Sequence, residues 1–267
     1  MEKKLNYFGF EIPIENFFAY HCFGNKATEI LSSIDQPYKD ITHWSMDDLR
    51  FMRSEHCTAI FVFTDDAEVY ASEIDAFIKQ YEDVVTNFFI LDLHASSQYK
   101  IFKEKWEFYN ILATRYCTLQ DNILHFLLFF KHFIETVGRI CMDYPYDFRS
   151  FMRTATFIAA GKAGAMKKAV DAIPHKNIRA LMLGLELQDY EADNANVKED
   201  IDAVASFFDQ LPDSVAAYWQ ISWNIGNPHV EYIAGFDTEP VCEIQGIEKP
   251  RNMKAASIVN EAYFVEQ

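Results

Sequence analysis

The sequence predicts an α/β protein in three parts: an N-terminal domain built on a parallel sheet, a long central helix, and a C-terminal α+β domain. Apolar runs alternate with helical patterns through the first half of the 267 residues, which is typical of βαβ units. One helical pattern is apolar around most of its circumference, and such helices lie between layers. The pattern of apolar and polar residues changes after Pro145. We therefore predict boundaries at residues 1–117, 118–141 and 142–267.

The N-terminal domain is predicted to alternate three strands with two helices. The third strand is almost wholly apolar, as expected of a strand covered on both faces. The predicted strands are Phe17–Phe23, Thr58–Phe63 and Val84–Leu93, with helices over Asn25–Ser33 and Val69–Tyr81. The segment Ile101–Cys117 is ambiguous, because it begins with a helical pattern and ends with a strand pattern. This order of elements predicts a Rossmann-like parallel sheet.

The central helix is predicted over Thr118–Ile140, and Thr118 can cap its first turn. His125 and His132 lie seven residues apart, on one face of this helix. His132 and Glu135 have the spacing of two metal ligands on a helix. We favour a different interpretation, in which a buried histidine is hydrogen-bonded to a neighbouring strand, and we predict no metal site.

The C-terminal domain is predicted to mix strands and helices. The predicted elements are strands Thr154–Ala160 and Ile178–Leu187, helices Gly164–Ile173 and Val197–Gln210, and a final hairpin of Ala216–Asn224 with His229–Phe236. The two strands of the hairpin are expected to be joined through Gly226, Asn227 and Pro228, a turn-forming sequence.

Charge and cysteine usage exclude several classes of function. The chain has 40 acidic and 24 basic residues and a formal net charge of -16, which argues against contact with nucleic acid or an anionic membrane surface. The N-terminal sequence lacks the features of a signal peptide. The 5 cysteines are scattered without a CxxC pair, as in a reducing compartment. These features predict a cytoplasmic protein that binds neither nucleic acid nor, directly, a membrane.

The charges are distributed unevenly in the C-terminal domain. The segment from Arg149 to Arg179 is rich in lysine and arginine, whereas Glu186 to Asp213 contains nine acidic residues and only Lys198. Such a charge distribution can steer head-to-tail association. We favour the simpler explanation, in which these charges belong to two solvated helix faces.

Short motifs in the second half resemble those of the tubulin/FtsZ superfamily. The loop from Asp143 to Arg149 is similar to an Asp-rich loop of that family with one residue inserted. Further matches are Phe151-Met152, Ala159-Ala160-Gly161, Ala169 to Ile173, and Ile178 to Gly184. The resemblance extends from about Asp121 to Phe236. It implies a tubulin/FtsZ-like fold with a GTP-binding N-terminal domain.

The resemblance also implies a set of site residues. Gly24 and Asn25 match the end of the family's first glycine-rich loop, and Asp121 matches a carboxylate that recognises guanine. These three residues would bind the nucleotide if one binds. Asp147 and Arg149 match the loop that activates water on the neighbouring subunit's nucleotide. They would be catalytic only if the protein is a GTPase.

The second phosphate loop departs from the family pattern. Glycines are expected there because backbone N–H groups reach phosphate only where no side chain intervenes. The segment from Thr64 to Val69 contains no glycine and has carboxylates at Asp65, Asp66 and Glu68. We therefore expect a degenerate GTP-binding domain that neither hydrolyses GTP nor carries it as a cofactor.

Three functions are compatible with these observations. The first is a non-hydrolysing FtsZ/tubulin-like protein that acts through protein–protein contacts, either with itself or with another FtsZ/tubulin-like protein. The second is an active GTPase that forms nucleotide-dependent filaments. The third is a small-molecule or cation-binding protein that uses the altered crevice, with Asp65, Asp66 and Glu68 as candidate ligands.

Overall fold

The described residues form an eight-stranded sheet and a separate two-stranded ribbon. The computed structural model describes residues 4–7, 10–13, 18–35, 57–83, 85–114, 117–134, 142, 144–164, 177–188, 195–224 and 229–238. The ribbon pairs β1 (Lys4–Tyr7) with β2 (Phe10–Pro13). The large sheet consists of β3 (Phe18–Phe23), β4 (Cys57–Thr64), β5 (Val85–Asp92), β6 (Tyr109–Leu112), β7 (Phe157–Ala163), β8 (Ile178–Gln188), β9 (Ala216–Asn224) and β10 (His229–Phe236). Their order across the sheet is β3-β4-β5-β6-β7-β10-β8-β9.

Helices cover both faces of this sheet. They are α1 (Asn25–Asp35), α2 (Ala67–Tyr81), α3 (Tyr99–Lys105), α4 (Leu119–Phe129), α5 (Arg149–Thr154) and α6 (Ala195–Phe208). Two π-helical segments accompany them, Phe130–Ile134 directly after α4 and Tyr144–Phe148 directly before α5. Within the described part of the chain, no helix combines the length and hydropathy required to cross a membrane.

The strands of the N-terminal half pair in parallel with one another, as predicted. Strands β3, β4, β5 and β6 pair in parallel in the order of the sequence. β4 is buried on both faces, with Ile60 and Val62 on one side and Phe61 and Phe63 on the other. This burial explains its continuous apolar sequence. The ambiguous segment contains both predicted states in succession, helix α3 followed by strand β6.

The sheet continues without interruption from the N-terminal half into the C-terminal half. β6 pairs in parallel with β7, through Ile111 opposite Phe157 and Leu112 opposite Ile158. Beyond β7, β10 runs antiparallel to both β7 and β8, and β9 runs parallel to β8. The mixed α/β architecture confirms the predicted fold class. The domain boundaries at residues 117 and 141 stay predictions.

Two hydrophobic layers hold the helices on the sheet. One layer packs α1, α4 and the segment before α5 against one face, with Phe61, Phe126 and Phe148 at its centre. The other layer packs α2, α3 and α6 against the opposite face, through residues such as Phe77 and Phe207. The predicted position of the central helix between layers agrees with the burial of Phe126 and Phe129.

The central helix differs from a regular α-helix in its second half. Thr118 caps its start as predicted, accepting a hydrogen bond from the backbone N–H of Asp121 at 3.1 Å. The α-helical hydrogen bonding ends at Phe129, and a π-helical segment follows to Ile134. The predicted continuation to Ile140 lies outside the described residues. So do most of the predicted helix Gly164–Ile173 and the turn at Gly226, Asn227 and Pro228.

The predicted C-terminal hairpin is wrong. β9 and β10 do not pair with each other, because β8 lies between them and pairs with both. Burial explains the arrangement: β8 carries a run of buried side chains from Ala180 to Leu185, whereas Ala217 and Trp219 of β9 are exposed. The most apolar strand therefore takes the interior position, and β9 takes the edge. β7 also begins later than predicted, at Phe157, because Thr154 still belongs to α5.

Candidate nucleotide crevice and its surroundings

The candidate site lies where the parallel strands end. The carboxyl ends of β3, β4 and β5 lie side by side, and α1 and α2 begin there. In open α/β sheets, ligands bind in the crevice outside the carboxyl ends of the strands. Gly24 and Asn25, which would bind a nucleotide if one binds, lie at these strand ends together with Asp65 and Asp66.

Gly24 makes the turn from β3 into α1. Its φ is 105°, a conformation that residues with a side chain rarely adopt. A Cβ atom at this position would also overlap the carboxylate of Asp65. Glycine is therefore required here both for the turn and for the close approach of Asp65.

Asp65 caps the N-terminus of α1 from the neighbouring strand. Its Oδ2 accepts a hydrogen bond from the backbone N–H of Lys26 at 3.0 Å, and its Oδ1 accepts one from Ala27 at 2.6 Å. Its own N–H donates to the carbonyl of Phe23 at 2.9 Å. The free N–H groups and the dipole at a helix N-terminus form a natural anion site. Here the anion is a side chain of the protein itself.

The other two carboxylates of this loop also bind groups of the chain. Asp66 caps α2 and accepts from the N–H of Glu68 at 2.9 Å. Glu68 accepts from the Ser96 hydroxyl and the Gln98 amide, both at 2.8 Å. Each of the three carboxylates thus accepts hydrogen bonds from a different set of groups. Among the described residues, no group of three or more His, Cys, Asp or Glu is arranged to hold a metal ion.

Asp92 is a buried carboxylate beneath the crevice that the sequence did not reveal as a site residue. It accepts hydrogen bonds from the Tyr109 hydroxyl at 2.6 Å, the Ala67 N–H at 3.2 Å and the His94 N–H at 3.1 Å. Burial raises the pKa of Asp92 to about 6, although these hydrogen bonds oppose the shift. The one available signal was an aspartate at the end of an apolar strand.

Asp121 and Asn25 begin two adjacent helices. Asn25 is the first residue of α1, with an exposed side chain. Asp121 lies in the first turn of α4 and is exposed, and its Oδ2 accepts from the Thr118 hydroxyl at 2.7 Å. A hydrogen bond of 3.1 Å from Gln120 to Ser33 joins the two helices. Asp121 therefore takes part in capping its own helix. Its role in binding guanine stays a prediction.

Asp147 and Arg149 lie near the opposite ends of the strands, where the parallel strands begin. Nη2 of Arg149 is 3.7 Å from a carboxylate oxygen of Glu107, and its guanidinium lies 5.4 Å from the centre of the Phe108 ring. Glu107 and Phe108 directly precede β6, so they lie at the amino ends of the parallel strands. A strand of eight residues such as β5 spans about 25 Å. Within one chain, the two predicted catalytic residues are therefore separated from Gly24 and Asn25.

A second cluster of ionisable residues lies between the central helix and the C-terminal strands. Nδ1 of His132 is 3.2 and 3.3 Å from the two carboxylate oxygens of Glu231 in β10. Nε2 of His229 is 3.2 Å from Glu231 and 2.9 Å from Glu186 in β8. The predicted contact of His132 with a neighbouring strand is therefore confirmed, although its side chain is 33% exposed and not buried. Glu135, its alternative partner, lies outside the described residues.

The charge state of Glu231 depends on its two histidines. Glu231 is 1% exposed, and burial alone would raise its pKa. The hydrogen bonds and charges of His132 and His229 outweigh burial and lower the pKa of Glu231 to about 2. Burial lowers the pKa of His125, one turn and a half before the π-helical segment. Sequence patterns did not reveal this cluster, because its members come from three elements distant in sequence.

Comparison with known proteins identifies the fold of the chain from solved structures, whereas comparisons of its sequence find no match. No protein-family model matches the sequence. No curated protein is significantly similar to it.

Solved structures of CetZ, FtsZ and TubZ proteins match the chain along most of its length. A CetZ from Methanosaeta thermophila has a TM-score of 0.50 at 12% identity, over 78% of this chain and 69% of that chain. An FtsZ from M. jannaschii has a TM-score of 0.48 at 11% identity, over 82% and 90%. A TubZ from Bacillus thuringiensis serovar israelensis, solved as a GTPγS-form protofilament, has a TM-score of 0.36 at 14% identity, over 87% and 63%. The match to the CetZ structure shows a tubulin/FtsZ-like fold for this chain, as predicted.

Proposed function

We propose that this tubulin/FtsZ-like protein does not hydrolyse GTP and acts through contacts with other proteins, either copies of itself or a partner of the same fold. One observation carries the proposal. The carboxylate of Asp65 occupies the N-terminus of α1, the position at which this type of crevice would hold a phosphate.

The energies of the Asp65 contacts oppose phosphate binding. Each hydrogen bond from a backbone N–H to a charged acceptor contributes about 1.5–3 kcal/mol. A phosphate would have to replace both, and the displaced carboxylate would remain nearby. Two like unit charges about 4 Å apart repel by about 4 kcal/mol at an effective dielectric constant near 20. Asp66 and Glu68 add further negative charge to the same loop. GTP binding at this position would therefore be disfavoured by several kcal/mol.

Isothermal titration with GTP and magnesium tests the proposal directly. We expect no binding heat for the wild-type protein. The variant Asp65→Ala uncovers the N–H groups of Lys26 and Ala27 and should gain weak binding of inorganic phosphate. The matched control Asp83→Ala removes an exposed carboxylate at the other end of α2 and should gain none. Tight, magnesium-dependent binding of GTP by the wild-type protein would overturn the proposal.

The alternative function is an active GTPase that forms nucleotide-dependent filaments. The separation of the two predicted residue sets favours it, because Gly24, Asn25 and Asp121 at one edge could meet Asp147 and Arg149 only from another copy. GTP would then bind between two subunits. This alternative predicts phosphate release that rises with protein concentration and is lost in Asp147→Ala but not in Asp83→Ala. Absent release, or release independent of concentration, would remove it.

A further inference from the structure

An apolar cleft opens between α6 and the edge of the sheet. Its volume is about 260 Å³, and its lining is formed by Leu185, Val204, Ala205, Phe208, Ala217 and Trp219. The rings of Phe208 and Trp219 have centroids 6.3 Å apart and form one wall. Trp219 is 37% exposed, which is unusual for a large aromatic side chain in an apolar setting. The cleft is therefore a preformed apolar recess on the surface.

The strand beside the cleft is an edge strand. β9 is last in the strand order, and among the described residues it pairs only with β8. Its nine residues make it longer than a typical strand. An edge strand of this length can add a further extended chain through main-chain hydrogen bonds. The cleft and this edge adjoin, because Ala217 and Trp219 belong to both.

Negative charge surrounds the cleft. Asp202 is exposed on α6, three residues before Ala205, and Asp209 is exposed in the turn directly after α6, where its N–H still donates to the Ala205 carbonyl at 3.0 Å. Asp213 is exposed just beyond the helix. From Glu199 to Asn224 the sequence contains no lysine or arginine. An occupant of the cleft therefore meets carboxylates without competing cations from this segment.

We infer that the cleft and β9 bind an extended, basic segment of a partner protein. The segment adds to β9 as a further strand, places one large apolar side chain in the cleft, and directs lysine or arginine toward Asp202 and Asp209. The inference rests on the proposed function, because it identifies the class of partner for a protein that acts through contacts.

Size and charge favour an extended, basic peptide as the occupant of the cleft over a small molecule or a second copy of this chain. Small-molecule pockets have volumes of about 300–1,000 Å³, so a cleft of about 260 Å³ suits a single anchoring side chain. A second copy of the chain would bring its own net charge of -16 to an acidic surface, which is unfavourable. Several of its cationic side chains are also engaged already: Arg153 pairs with Glu107, and Arg179 lies 3.5 Å from Asp237.

Fluorescence anisotropy with a labelled peptide tests the inference. The probe is a short peptide that alternates lysine with valine and has one central phenylalanine. We expect Ala217→Arg, which fills the cleft and adds positive charge, to weaken binding by about tenfold or more. The matched control Ala95→Arg introduces the same side chain at an exposed position after β5, outside the lining of the cleft, and should leave the peptide affinity unchanged. Circular dichroism of both variants establishes that they are folded.

A charge variant tests the electrostatic part separately. Asp202→Asn combined with Asp209→Asn should weaken peptide binding at low salt by about five- to tenfold, and the effect should shrink at high salt. The control Glu82→Gln with Asp83→Asn removes the same number of exposed charges elsewhere. Amide hydrogen exchange should slow in β9 when the peptide binds.

Three results would overturn the inference. They are equal peptide affinity for the wild-type protein and Ala217→Arg, equal binding of a peptide in which glutamate replaces lysine, and a wild-type dimer that Ala217→Arg dissociates but Ala95→Arg does not. The last result would assign the cleft to a second copy. None of them changes the outcome of the GTP titration, so a failure here is distinguishable from a failure of the proposed function.

Discussion

Gly24 and Asp65 depend on each other. The positive φ of Gly24 brings the chain close enough for Asp65 to reach the first N–H groups of α1, and the absence of a side chain at Gly24 leaves room for the carboxylate. The same two residues therefore fix the loop geometry and fill the anion position. A change at either one alters both.

The variant Gly24→Ala tests this dependence. We expect it to lower the free energy of unfolding by about 1–3 kcal/mol, because the backbone is strained and the Asp65 carboxylate is displaced. Gly164→Ala is the matched control: Gly164 is exposed, and a Cβ atom there would meet nothing within 4 Å. Urea unfolding of both variants measures the difference. An equal effect of the two substitutions would contradict the required role of Gly24.

The pKa of Glu231 predicts a dependence of stability on pH. Its pKa is lowered from 4.5 to about 2 in the folded protein, so the charged form stabilises the fold at every pH above the ordinary value. This contribution is lost as the pH falls from about 4.5 toward 2. Removing the charge with Glu231→Gln should cost about 3 kcal/mol at pH 7.

Urea unfolding at two pH values checks this prediction. The difference in unfolding free energy between the wild-type protein and Glu231→Gln should shrink by more than half at pH 3. Glu82→Gln, at an exposed position, should have little effect at either pH. A constant difference between pH 7 and pH 3 would show that packing, not charge, explains the cost.

Single residues also show why the site was only partly predictable. The missing glycines and the three carboxylates of the second loop are visible in the sequence, because they are local. The partners of those carboxylates are not visible, since Asp65 binds residues 38 and 39 positions away in the chain. Asp65 was therefore expected to repel a phosphate or bind a cation, and its role as a helix cap became apparent only from the fold.

At the scale of elements, Asn122 links the two halves of the sheet. The short strand β6 pairs with β7 at only two positions. The Asn122 side chain reinforces this joint from α4: its amide donates to the carbonyls of Ala113 and Ile158 at 3.0 and 3.1 Å, and its oxygen accepts from the N–H of Ala160 at 2.8 Å. Asn122 is fully buried, so these groups have no access to water.

The variant Asn122→Ala should weaken this joint. Losing three buried hydrogen bonds costs about 3 kcal/mol, and amide exchange should accelerate in β6 and β7 more than in β4. Gln120→Ala is the control, because Gln120 is exposed on the same helix and makes only a surface hydrogen bond. Exchange that accelerates uniformly across the sheet would contradict a local role at the joint.

The elements show which sequence patterns predict structure well. Strands β4 and β5 follow from continuous apolar runs and helix α2 from helical periodicity, because both patterns report directly on buried faces. The hairpin of β9 and β10 was wrong because a turn-forming sequence indicates a reversal of the chain and does not specify the neighbouring strand. Pairing is decided by which strand must be buried on both sides, and that strand is β8.

At the scale of the whole molecule, the net charge of -16 acts on stability. Exposed carboxylates repel one another in the compact state, and salt screens this repulsion. We expect the midpoint of thermal unfolding to rise by a few degrees between about 0.02 and 0.5 M sodium chloride. Choline chloride at equal ionic strength should have a similar effect, which separates screening from specific sodium binding. A midpoint that falls with salt would indicate that surface ion pairs such as Lys105 with Asp75 dominate instead.

The continuity of the sheet has a consequence for how many partners the protein can hold at once. β4, which ends directly before Asp65, and β9, the last strand at the far side, are six strand positions apart, a distance of about 29 Å at the usual spacing. A peptide strand added to β9 would extend the sheet away from the crevice and could not cover it. The two surfaces are therefore sterically independent, and one molecule has room to bridge two others, as an adaptor does.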